Sequence, residues 1–335
     1  MRRRAATMQD IADQVGVSRM AVSVALHGTS SNVRVSDGTR ARILEVARVL
    51  EYRPNAIARS LKRKQTDLIG LYSGYGPLDP RNYFLSQIVA GIQEGCLPFG
   101  KDLLIHTTFG GQSTDEIYAE LLDGRIDGLI LFSPPEDPLA ARLADSPLPV
   151  ISVADAIPSL PSVVVDDAQA ARLTFDYLAG KGHRRFAYRS FDRHLVSAER
   201  RAEAFITEAR KRGLEIEEWR TPERREDTDP HLADLRAASP GSRPTAVICW
   251  NDLSAYDLLF HCRQSGMQVP DDLAVVGFDG GDSNPLEYLF RLTTVRAPWE
   301  QVARTATRLL VSRLEGEDVP RQAVLPVELI RGDSA

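Results

Sequence analysis

The sequence predicts a small all-α domain followed by a two-lobed α/β core built from parallel, doubly wound sheets. Through the first 66 residues, apolar positions recur at helical spacing. From Leu68 onward, short apolar runs typical of strands alternate with amphipathic helices, which favours parallel sheets with helices on their faces. Because these units are too many for one small sheet, we expect two lobes with a cleft between them.

Charge is unevenly distributed along the 335 residues. Residues 1–66 contain 13 Arg and Lys against 5 Asp and Glu, a net charge of +8, whereas the remainder carries −13. A basic segment attached to an acidic body is typical of a DNA-binding module on a regulatory domain. The alternative, a solvated basic tail, is disfavoured because a DNA-binding motif lies inside the segment.

Two short helices separated by a tight turn are predicted within residues 8–26. Gly16 permits the positive φ of a sharp turn, and Ser18 can cap the second helix. This is the helix-turn-helix pattern, whose second helix lies in the DNA major groove; a helical hairpin with a surface turn is the alternative. The candidate DNA contacts are the positions expected to face outwards, Ser18, Arg19, Met20, Ser23 and Val24, with Ala21 nearby.

A third helix and a short fourth helix complete the α-helical part. The third is predicted over residues 39–50 with Asp37 as its N-cap, and the fourth follows Pro54 and begins at Asn55. The fourth is too short to be stable alone, since isolated helices below ~12–15 residues are marginal in water. The predicted domains are a DNA-binding headpiece over 1–53, a hinge helix and linker over 54–66, and a core over 67–335.

Several classes of protein are excluded. No apolar run approaches the ~18 residues that span a bilayer, and no apolar region follows the basic N-terminus, so we expect a cytoplasmic protein without a membrane partner. Cys96, Cys249 and Cys262 have neither metal-ligand spacing nor the pattern of a disulfide framework. Without a Gly-rich phosphate loop, a nucleophile elbow or a metal cluster, we expect no enzyme, no metal site and no cofactor.

The segment from Thr7 to Leu26, followed by Tyr-Arg-Pro-Asn-Ala-Ile-Ala-Arg-Ser-Leu ending at Leu61, resembles the headpiece and hinge of the LacI/GalR family of bacterial transcriptional repressors. The resemblance extends over nearly the whole chain. It implies a homodimer on a pseudo-palindromic DNA operator, with Leu61 wedged into the minor groove and Ala58 at the contact between two hinge helices. The further candidate DNA contacts are Thr7, Asn55 and Arg63.

The resemblance also implies a core similar to periplasmic sugar-binding proteins, in which the chain crosses three times between the lobes. The first lobe is expected over about 67–164 and 294–322, and the second over about 165–293 and 323–335. The predicted strands are 68–72, 102–106, 128–132, 149–153, 162–165, 185–189, 246–250, 274–278, 292–297 and 324–329. The predicted helices of the core lie near 84–97, 115–122, 168–179, 197–212, 253–265 and 298–314.

Ligands of open α/β sheets bind beyond the carboxyl ends of the strands. The polar and aromatic side chains expected at those ends are Tyr72, Ser73, Ser133, Asp155, Trp250, Asn251, Asp252 and Asp279. For Asp252, and likewise for Asp167 at the start of a predicted helix, the alternative role is that of a helix cap.

The family resemblance adds further candidates. The segment Arg-Asn-Tyr-Phe ending at Phe84 matches the family's Asn-Pro-Phe-Phe and makes this phenylalanine a candidate aromatic wall. The segment Arg-Ala-Glu-Ala-Phe beginning at Arg201 matches Arg-x-x-Gly-Phe and carries the effector-binding arginine, although alanine replaces the glycine. Ser197 lies one helical turn earlier on a compatible face. Asp279 matches the family's effector-binding aspartate, whereas Arg200 is interpreted as a solvated helix charge.

An aspartate, an arginine and an asparagine beside aromatic faces suit a neutral polyol, because such groups bind hydroxyls while rings stack on C–H faces. A sugar or sugar derivative is therefore the expected effector, and a nucleobase or nucleoside is the alternative. A solute-binding transport protein would share the core, but it would carry a signal peptide and no helix-turn-helix. We therefore expect a sequence-specific repressor whose operator affinity is controlled by a small molecule bound between the lobes.

Overall fold

The computed structural model describes residues 6–27, 33–79, 82–106, 111–191, 196–221, 229–239, 241–280 and 291–335. The chain divides into two units, Met1–Thr66 and Asp67–Ala335, each with its own buried apolar residues. No helix in these ranges is both long and apolar enough to cross a membrane.

The first unit is helical, with α1 (Met8–Val15), α2 (Arg19–His27), α3 (Asp37–Val49) and α4 (Ala56–Arg63). α1 begins with a capping box, in which the Thr7 hydroxyl accepts from the Asp10 amide and the Asp10 carboxylate accepts from the Thr7 amide at 2.7 Å. Gly16 ends α1 with φ of 77°, as the tight turn requires. The buried core of this unit consists of Ile11, Ala12, Val15, Val22, Ala25, Ile43 and Ala47.

α3 begins two residues earlier than predicted, and Asp37 is not its cap. The Ser36 hydroxyl caps the helix by accepting from the Thr39 amide at 3.3 Å. Asp37 lies in the first turn instead, where a carboxylate is favoured by the helix dipole. Arg40 donates to the Ala25 carbonyl at 3.0 Å and so ties α3 to α2.

Strands of the second unit form two six-stranded sheets within the described residues, which confirms the two-lobed α/β core. The strands are β1 (Leu68–Ser73), β2 (Asp102–Ile105), β3 (Gly128–Phe132), β4 (Val150–Val153), β5 (Ser162–Val165), β6 (Arg185–Phe191), β7 (Glu215–Thr221), β8 (Ala246–Cys249), β9 (Ala274–Asp279), β10 (Thr293–Arg296), β11 (Gln322–Leu325) and β12 (Glu328–Ile330). The first sheet has the order β11-β5-β4-β3-β1-β2 and the second β12-β10-β9-β8-β6-β7. Pairing is parallel except between β10 and β12.

Helices cover these sheets. They are α5 (Tyr83–Cys96), α6 (Thr114–Leu121), α7 (Pro138–Ala144), α8 (Asp167–Gly180), α9 (Val196–Lys211), α10 (Pro230–Ala237), α11 (Asp252–Gln264) and α12 (Trp299–Leu314), with a short 3-10 helix at Leu97–Phe99. α12 packs closely on α5 in the first lobe. A Cβ on Gly91 of α5 would lie 2.2 Å from the Glu300 carbonyl, so only glycine permits this approach.

The last strands correct the predicted limits of the lobes. Residues 294–296 were expected in the first lobe, but β10 pairs with β9 of the second sheet. Residues 323–325 were expected in the second lobe, but β11 pairs with β5 of the first sheet. The single strand predicted over 324–329 is two strands on different sheets. Pro326 separates them, since proline has no N–H for a sheet hydrogen bond.

Three elements of the core were absent from the prediction: β7, α7 and α10. β7 is an edge strand rich in charged side chains, in which only Trp219 and Thr221 are buried. It therefore lacks the apolar run by which the other strands were predicted. α7 and α10 contain seven and eight residues, too few for a helical period to stand out.

The residues immediately before β1, β2 and β3 form a partly buried ionic cluster, here called the strand-start triad: Asp67, Lys101 and Asp127. The Asp127 carboxylate accepts from the Lys101 ammonium at 3.2 Å and from the Asp67 amide at 2.9 Å. The Asp67 carboxylate lies 3.7 Å from the same ammonium. The triad ties together the beginnings of three neighbouring strands at the residue where the second unit begins.

Candidate functional site

α2 presents the candidate DNA-reading side chains. The Ser18 hydroxyl accepts from the Ala21 amide at 3.2 Å, as expected of a cap of this helix. Ser18, Arg19 and Met20 are exposed, Met20 by 53%, and Ser23 is half-buried. The first turn of α2 therefore offers one cation and one flexible apolar side chain to a groove.

Two of the predicted DNA contacts on α2 do not face outwards. Ala21 and Val24 are only 9% and 8% exposed. They lie three residues apart, and Ala21 is four residues before the buried Ala25, so the three share one face of the helix. The buried face of α2 is therefore wider than its sequence pattern suggests, and Val24 is corrected from an outward to a buried position.

The hinge helix α4 exposes the side chains that the prediction assigned to DNA. Asn55 caps it by accepting from the Ala58 amide at 3.3 Å. Ala58 and Arg63 are exposed, and Leu61 is 77% exposed, the largest value among the large apolar side chains whose burial the structure describes. Thr7, also predicted to contact DNA, uses its hydroxyl in the capping box of α1.

In the core, two adjacent arginines of α9 share one carboxylate. Nε of Arg200 donates to Asp167 at 2.7 Å, and Nε of Arg201 donates to the other oxygen of the same carboxylate at 3.2 Å. Asp167 is the first residue of α8, whose N-cap is the preceding Asp166. Asp167 is therefore not a helix cap, and Arg200 is not a solvated charge, because both belong to a partly buried ionic cluster.

Arg201 is 2% exposed and makes two more contacts. Its guanidinium donates to the Trp250 carbonyl, and its Cζ lies 3.3 Å from the centre of the Phe278 ring. The ring side chain of Trp250 is half-buried beside this arrangement. Arg201 thus lies at the ends of β8 and β9, where the strand pattern placed the ligand site.

Asp279 ends β9 with φ of 123°, a strained conformation for a residue other than glycine. The following Gly280 passes so close to β10 that a Cβ would lie 2.4 Å from Cα of Arg296. The Asp279 carboxylate accepts from the Trp299 indole at 3.0 Å. Burial raises the pKa of Asp279 to about 6, while Arg201 and Trp299 act in the opposite direction.

Asp155 lies on the first lobe just after β4 and is fully buried. The Tyr75 hydroxyl donates to its Oδ2 at 2.6 Å. The carbonyl of the preceding Ala154 accepts from Nη1 of Arg200 at 3.1 Å, which joins the second lobe to the first. Burial raises the pKa of Asp155 to about 6, although the Tyr75 hydrogen bond and the charges of Arg200 and Arg201 lower it.

Aromatic rings of the first lobe connect Asp155 to Asp279. Tyr75 lies 4.6 Å from Phe132, Phe132 lies 5.3 Å from Phe84, and Phe84 meets Trp299 edge-on at 4.8 Å between ring centres. Trp299 completes the chain through its hydrogen bond to Asp279. The carboxylates, the arginines and the rings therefore form one continuous arrangement at the junction of the lobes, which we call the interlobe site.

Four predicted residues have other surroundings. Tyr72 packs in a separate apolar cluster of the first lobe, apart from the one that Phe84 and Phe132 contact. It lines a cavity of about 350 Å³ together with Gln112, Glu136 and Asp137. The Ser133 hydroxyl donates to Asp137. The Asn251 side chain caps α11 by accepting from the Ser254 amide at 2.8 Å. Ser197 is half-buried in the first turn of α9.

Asp252, weighed as a helix cap, instead fastens β9 to β10. It accepts from the Gly280 amide at 2.8 Å and from the Thr294 hydroxyl at 2.5 Å. No cluster of three or more His, Cys, Asp or Glu in the described ranges could hold a metal ion. Cys96, Cys249 and Cys262 are buried free thiols, and burial raises the pKa of each.

The sequence prediction missed Tyr75, Phe132 and Trp299 and misread Asp167 and Arg200. Tyr75 and Phe132 were detectable, because Phe132 ends a predicted strand and Tyr75 lies three residues beyond the end of another. Trp299 gave no such signal, since it begins a helix of the first lobe. In the structure it contacts Phe84 and Asp279 of the site.

Comparison with known proteins finds a match in each of the two units of the chain. Residues 7–55 match bacterial regulatory proteins of the lacI family, and residues 175–335 match the periplasmic binding protein-like domain. The HTH-type transcriptional repressor PurR of Mannheimia succiniciproducens is 27% identical over 95% of each chain. PurR of Vibrio parahaemolyticus serotype O3:K6 is 29% identical over 93% of each chain.

Solved structures share the fold. The lac repressor dimer bound to operator and the anti-inducer ONPF matches with a TM-score of 0.82 at 24% identity over 99% of each chain. The complex of the transcriptional regulator CelR with cellobiose matches with a TM-score of 0.67 at 26% identity, covering 98% of this chain and 100% of that one. The chain therefore belongs to the LacI/GalR family of transcriptional repressors: it is a DNA-binding regulator and not an enzyme, with a helix-turn-helix headpiece and a periplasmic-binding-protein-like core through which a small molecule controls operator affinity.

Proposed function

We propose that the chain acts in the cytoplasm as a homodimeric repressor on a pseudo-palindromic operator, and that its effector is a carbohydrate bound at the interlobe site. The observation that carries the proposal is the sharing of Asp167 by Arg200 and Arg201, between Asp155 of the first lobe and Asp279 of the second. A ligand held by both lobes favours one arrangement of the lobes over another. Only such a difference in affinity can shift an equilibrium between two states.

On DNA, we assign base recognition to the first turn of α2 and minor-groove wedging to the hinge helix. The fork of Arg19 suits guanine O6 and N7, whereas Met20 offers only apolar contact, best placed on a thymine methyl. Leu61 is 77% exposed in this structure, which is costly for an apolar side chain in water. Insertion between base pairs would cover it.

A carbohydrate suits the interlobe site because carboxylates and guanidinium groups bind hydroxyls while rings cover C–H faces. Phe84 and Trp250 are half-buried rings within this arrangement. The complex of the similar regulator CelR contains cellobiose, which supports this choice. A nucleobase is the second candidate, because the same rings could stack on a planar base.

The homodimer is proposed because the family's hinge leucine acts in pairs and because one side of the first lobe exposes apolar side chains. Leu97, Phe99 and Ile105 are 76%, 40% and 45% exposed. They lie on the 3-10 helix after α5 and on β2, which is the edge strand of the first sheet. An exposed apolar area on an edge strand favours association with a second copy.

The test combines operator selection with a ligand panel. Operators are selected from random duplex DNA by the full-length protein, and a thermal-shift screen is run with cellobiose, glucose, galactose, ribose, hypoxanthine and guanine. A ligand that binds only the folded state raises its melting temperature. We expect at least one sugar to bind and to change affinity for the selected operator. If hypoxanthine or guanine binds and no sugar does, the carbohydrate proposal is wrong and the effector is a nucleobase. Failure to select any DNA sequence would contradict the proposed repressor function.

A further inference from the structure

Two buried polar atoms at the interlobe site have no hydrogen-bond partner among the described residues. They are Oδ1 of Asp155 and Nη2 of Arg200. The two groups are neighbours, because Nη1 of the same guanidinium donates to the carbonyl of Ala154, the residue before Asp155, at 3.1 Å. A hydrogen-bond acceptor and a hydrogen-bond donor thus belong to neighbouring groups, and each of the two atoms can still form a hydrogen bond.

Other polar atoms of both side chains form hydrogen bonds within the protein. Oδ2 of Asp155 accepts from the Tyr75 hydroxyl at 2.6 Å, and Nε of Arg200 donates to Asp167 at 2.7 Å. Buried polar groups in native proteins are almost always paired, and an unpaired buried carboxylate oxygen is costly. The two side chains are therefore held in position by other contacts while one acceptor and one donor stay available.

We propose that a neutral, hydroxyl-bearing ligand completes this pair, with one hydroxyl donating to Oδ1 of Asp155 and accepting from Nη2 of Arg200. A hydroxyl offers both roles on a single oxygen. Arg200 then contacts the ligand and helps to determine which class of ligand binds. Tyr75 is a positioning residue, because its hydroxyl donates to the Asp155 carboxylate. The inference rests on the proposed function and narrows its ligand to uncharged molecules.

Charge at the site disfavours phosphorylated and carboxylated ligands. Arg200 and Arg201 face three carboxylates, those of Asp155, Asp167 and Asp279, so the described groups are in excess of negative charge when ionised. Burial already disfavours ionisation of Asp155 and Asp279, since it raises their pKa values to about 6. A further anion in this poorly solvated place would be repelled.

The first test uses sugars that differ in charge: glucose with glucose 6-phosphate, galactose with galacturonate, and ribose with ribose 5-phosphate. In calorimetric titration of the full-length protein we expect only neutral members to bind. Arg200→Gln should weaken that binding about tenfold or more, as expected for loss of a charged hydrogen bond. Arg210→Gln, on an exposed position of the same helix, should leave it unchanged. Tighter binding of any charged member, or full affinity in Arg200→Gln, would overturn the proposal.

The second test needs no ligand. Asp155→Asn removes a buried negative charge whose Oδ1 has no hydrogen-bond partner among the described residues, so we expect the melting temperature of the ligand-free protein to rise. Asp127→Asn is the matched control, because that buried carboxylate is paired with Lys101, and its melting temperature should fall. A lower melting temperature for Asp155→Asn would show that the carboxylate serves the fold and would overturn the proposal.

The two proposals fail in different ways. If a phosphorylated or carboxylated sugar binds and changes operator affinity, the proposed function stands and the neutral-ligand inference is overturned. If a neutral sugar binds with full dependence on Arg200 but leaves operator affinity unchanged, the inference is supported and the proposed regulation fails.

Discussion

The indole nitrogen of Trp299 donates a hydrogen bond to Oδ1 of Asp279 at 3.0 Å, and this bond joins the first lobe to the second. Trp299 begins α12, which packs on α5, whereas Asp279 ends a strand of the second sheet. The same carboxylate is within electrostatic range of Arg201. A ligand that binds Asp279 therefore has to compete with, or add to, a contact between the lobes.

Asp279→Ala should abolish the response of operator binding to the effector while leaving ligand-free operator affinity largely unchanged, because the residue lies outside the headpiece. A coupling of ~1–3 kcal/mol, which corresponds to roughly 5–150-fold in affinity, is typical of such linkage. The measurement is operator affinity with and without the sugar identified in the screen. Asp318→Ala, on an exposed position, is the control. A normal response of Asp279→Ala would remove this residue from the site.

Leu61→Ala should have the opposite effect, lowering operator affinity while sparing ligand binding. The side chain is 77% exposed without DNA, so its loss should not destabilise the protein. Leu44→Ala is a matched control, because that leucine is 48% exposed on α3. Operator affinity is measured by fluorescence anisotropy and ligand affinity by calorimetry. Unchanged DNA binding in Leu61→Ala would argue against wedging by this leucine.

Arg19→Ala should cost about 1–3 kcal/mol of operator binding and relax discrimination at one base position. Arg63→Ala should instead weaken binding to all sequences alike, as expected for a phosphate contact. Affinities are compared across a set of operators carrying single base changes, with Arg42→Ala on the exposed side of α3 as control. If Arg19→Ala keeps its base discrimination, the register assigned to α2 is wrong.

Stability of the ligand-free protein should depend on pH through Asp155. Its pKa is raised from 3.8 to about 6, so the folded state holds more protons than the unfolded state between these values. The stability linked to protonation is present below about pH 4 and is lost as pH rises through 6. A rise of two pKa units corresponds to about 3 kcal/mol as an upper limit.

This dependence is measured as a difference between variants. The gain in the free energy of unfolding from Asp155→Asn should be largest at pH 7 and should shrink towards pH 4, where Asp155 is already neutral. Denaturant unfolding of both proteins at several pH values isolates the effect from other titrating groups. A gain that does not vary with pH would contradict the raised pKa.

Leu97→Glu should weaken the dimer, because it places a charge on the apolar surface of the first lobe. Val324→Glu is the control, since Val324 is 52% exposed at the opposite edge of the same sheet. Sedimentation velocity at micromolar concentration should show dimers for the parent protein and the control, and monomers for Leu97→Glu. A monomeric parent protein or a stable tetramer would contradict the proposed assembly.

Much of the fold was predictable because its strands are short, apolar and separated by helices. The strands at 128–132 and 162–165 were predicted at their observed limits. The errors arise where tertiary pairing decides the structure. Nothing local distinguishes β10 from a strand of the first lobe, and β7 forms at a sheet edge despite its charged side chains.

The candidate site was predictable only in part, for a similar reason. Because ligands are expected beyond the carboxyl ends of strands, the sequence analysis selected Asp155, Trp250 and Asp279 as site residues, but for the same reason it also selected Tyr72. Side chains alternate between the two faces of a strand, and the position of a residue at the end of a strand does not tell which face borders the other lobe. Arg200 was interpreted as solvated because the sequence does not show which carboxylate pairs with an arginine on a helix. Its partner Asp167 lies 33 residues away in the sequence.

The strand-start triad has a consequence for protein engineering. Asp67 is fixed by Lys101 and Asp127 at the point where the core begins, and none of these three side chains belongs to the preceding unit. A chimera joined between Thr66 and Asp67 therefore keeps this attachment intact whatever headpiece precedes it. The junction is a natural grafting point, at which the headpiece of another family member could be joined so that this core and its ligand control a different set of genes.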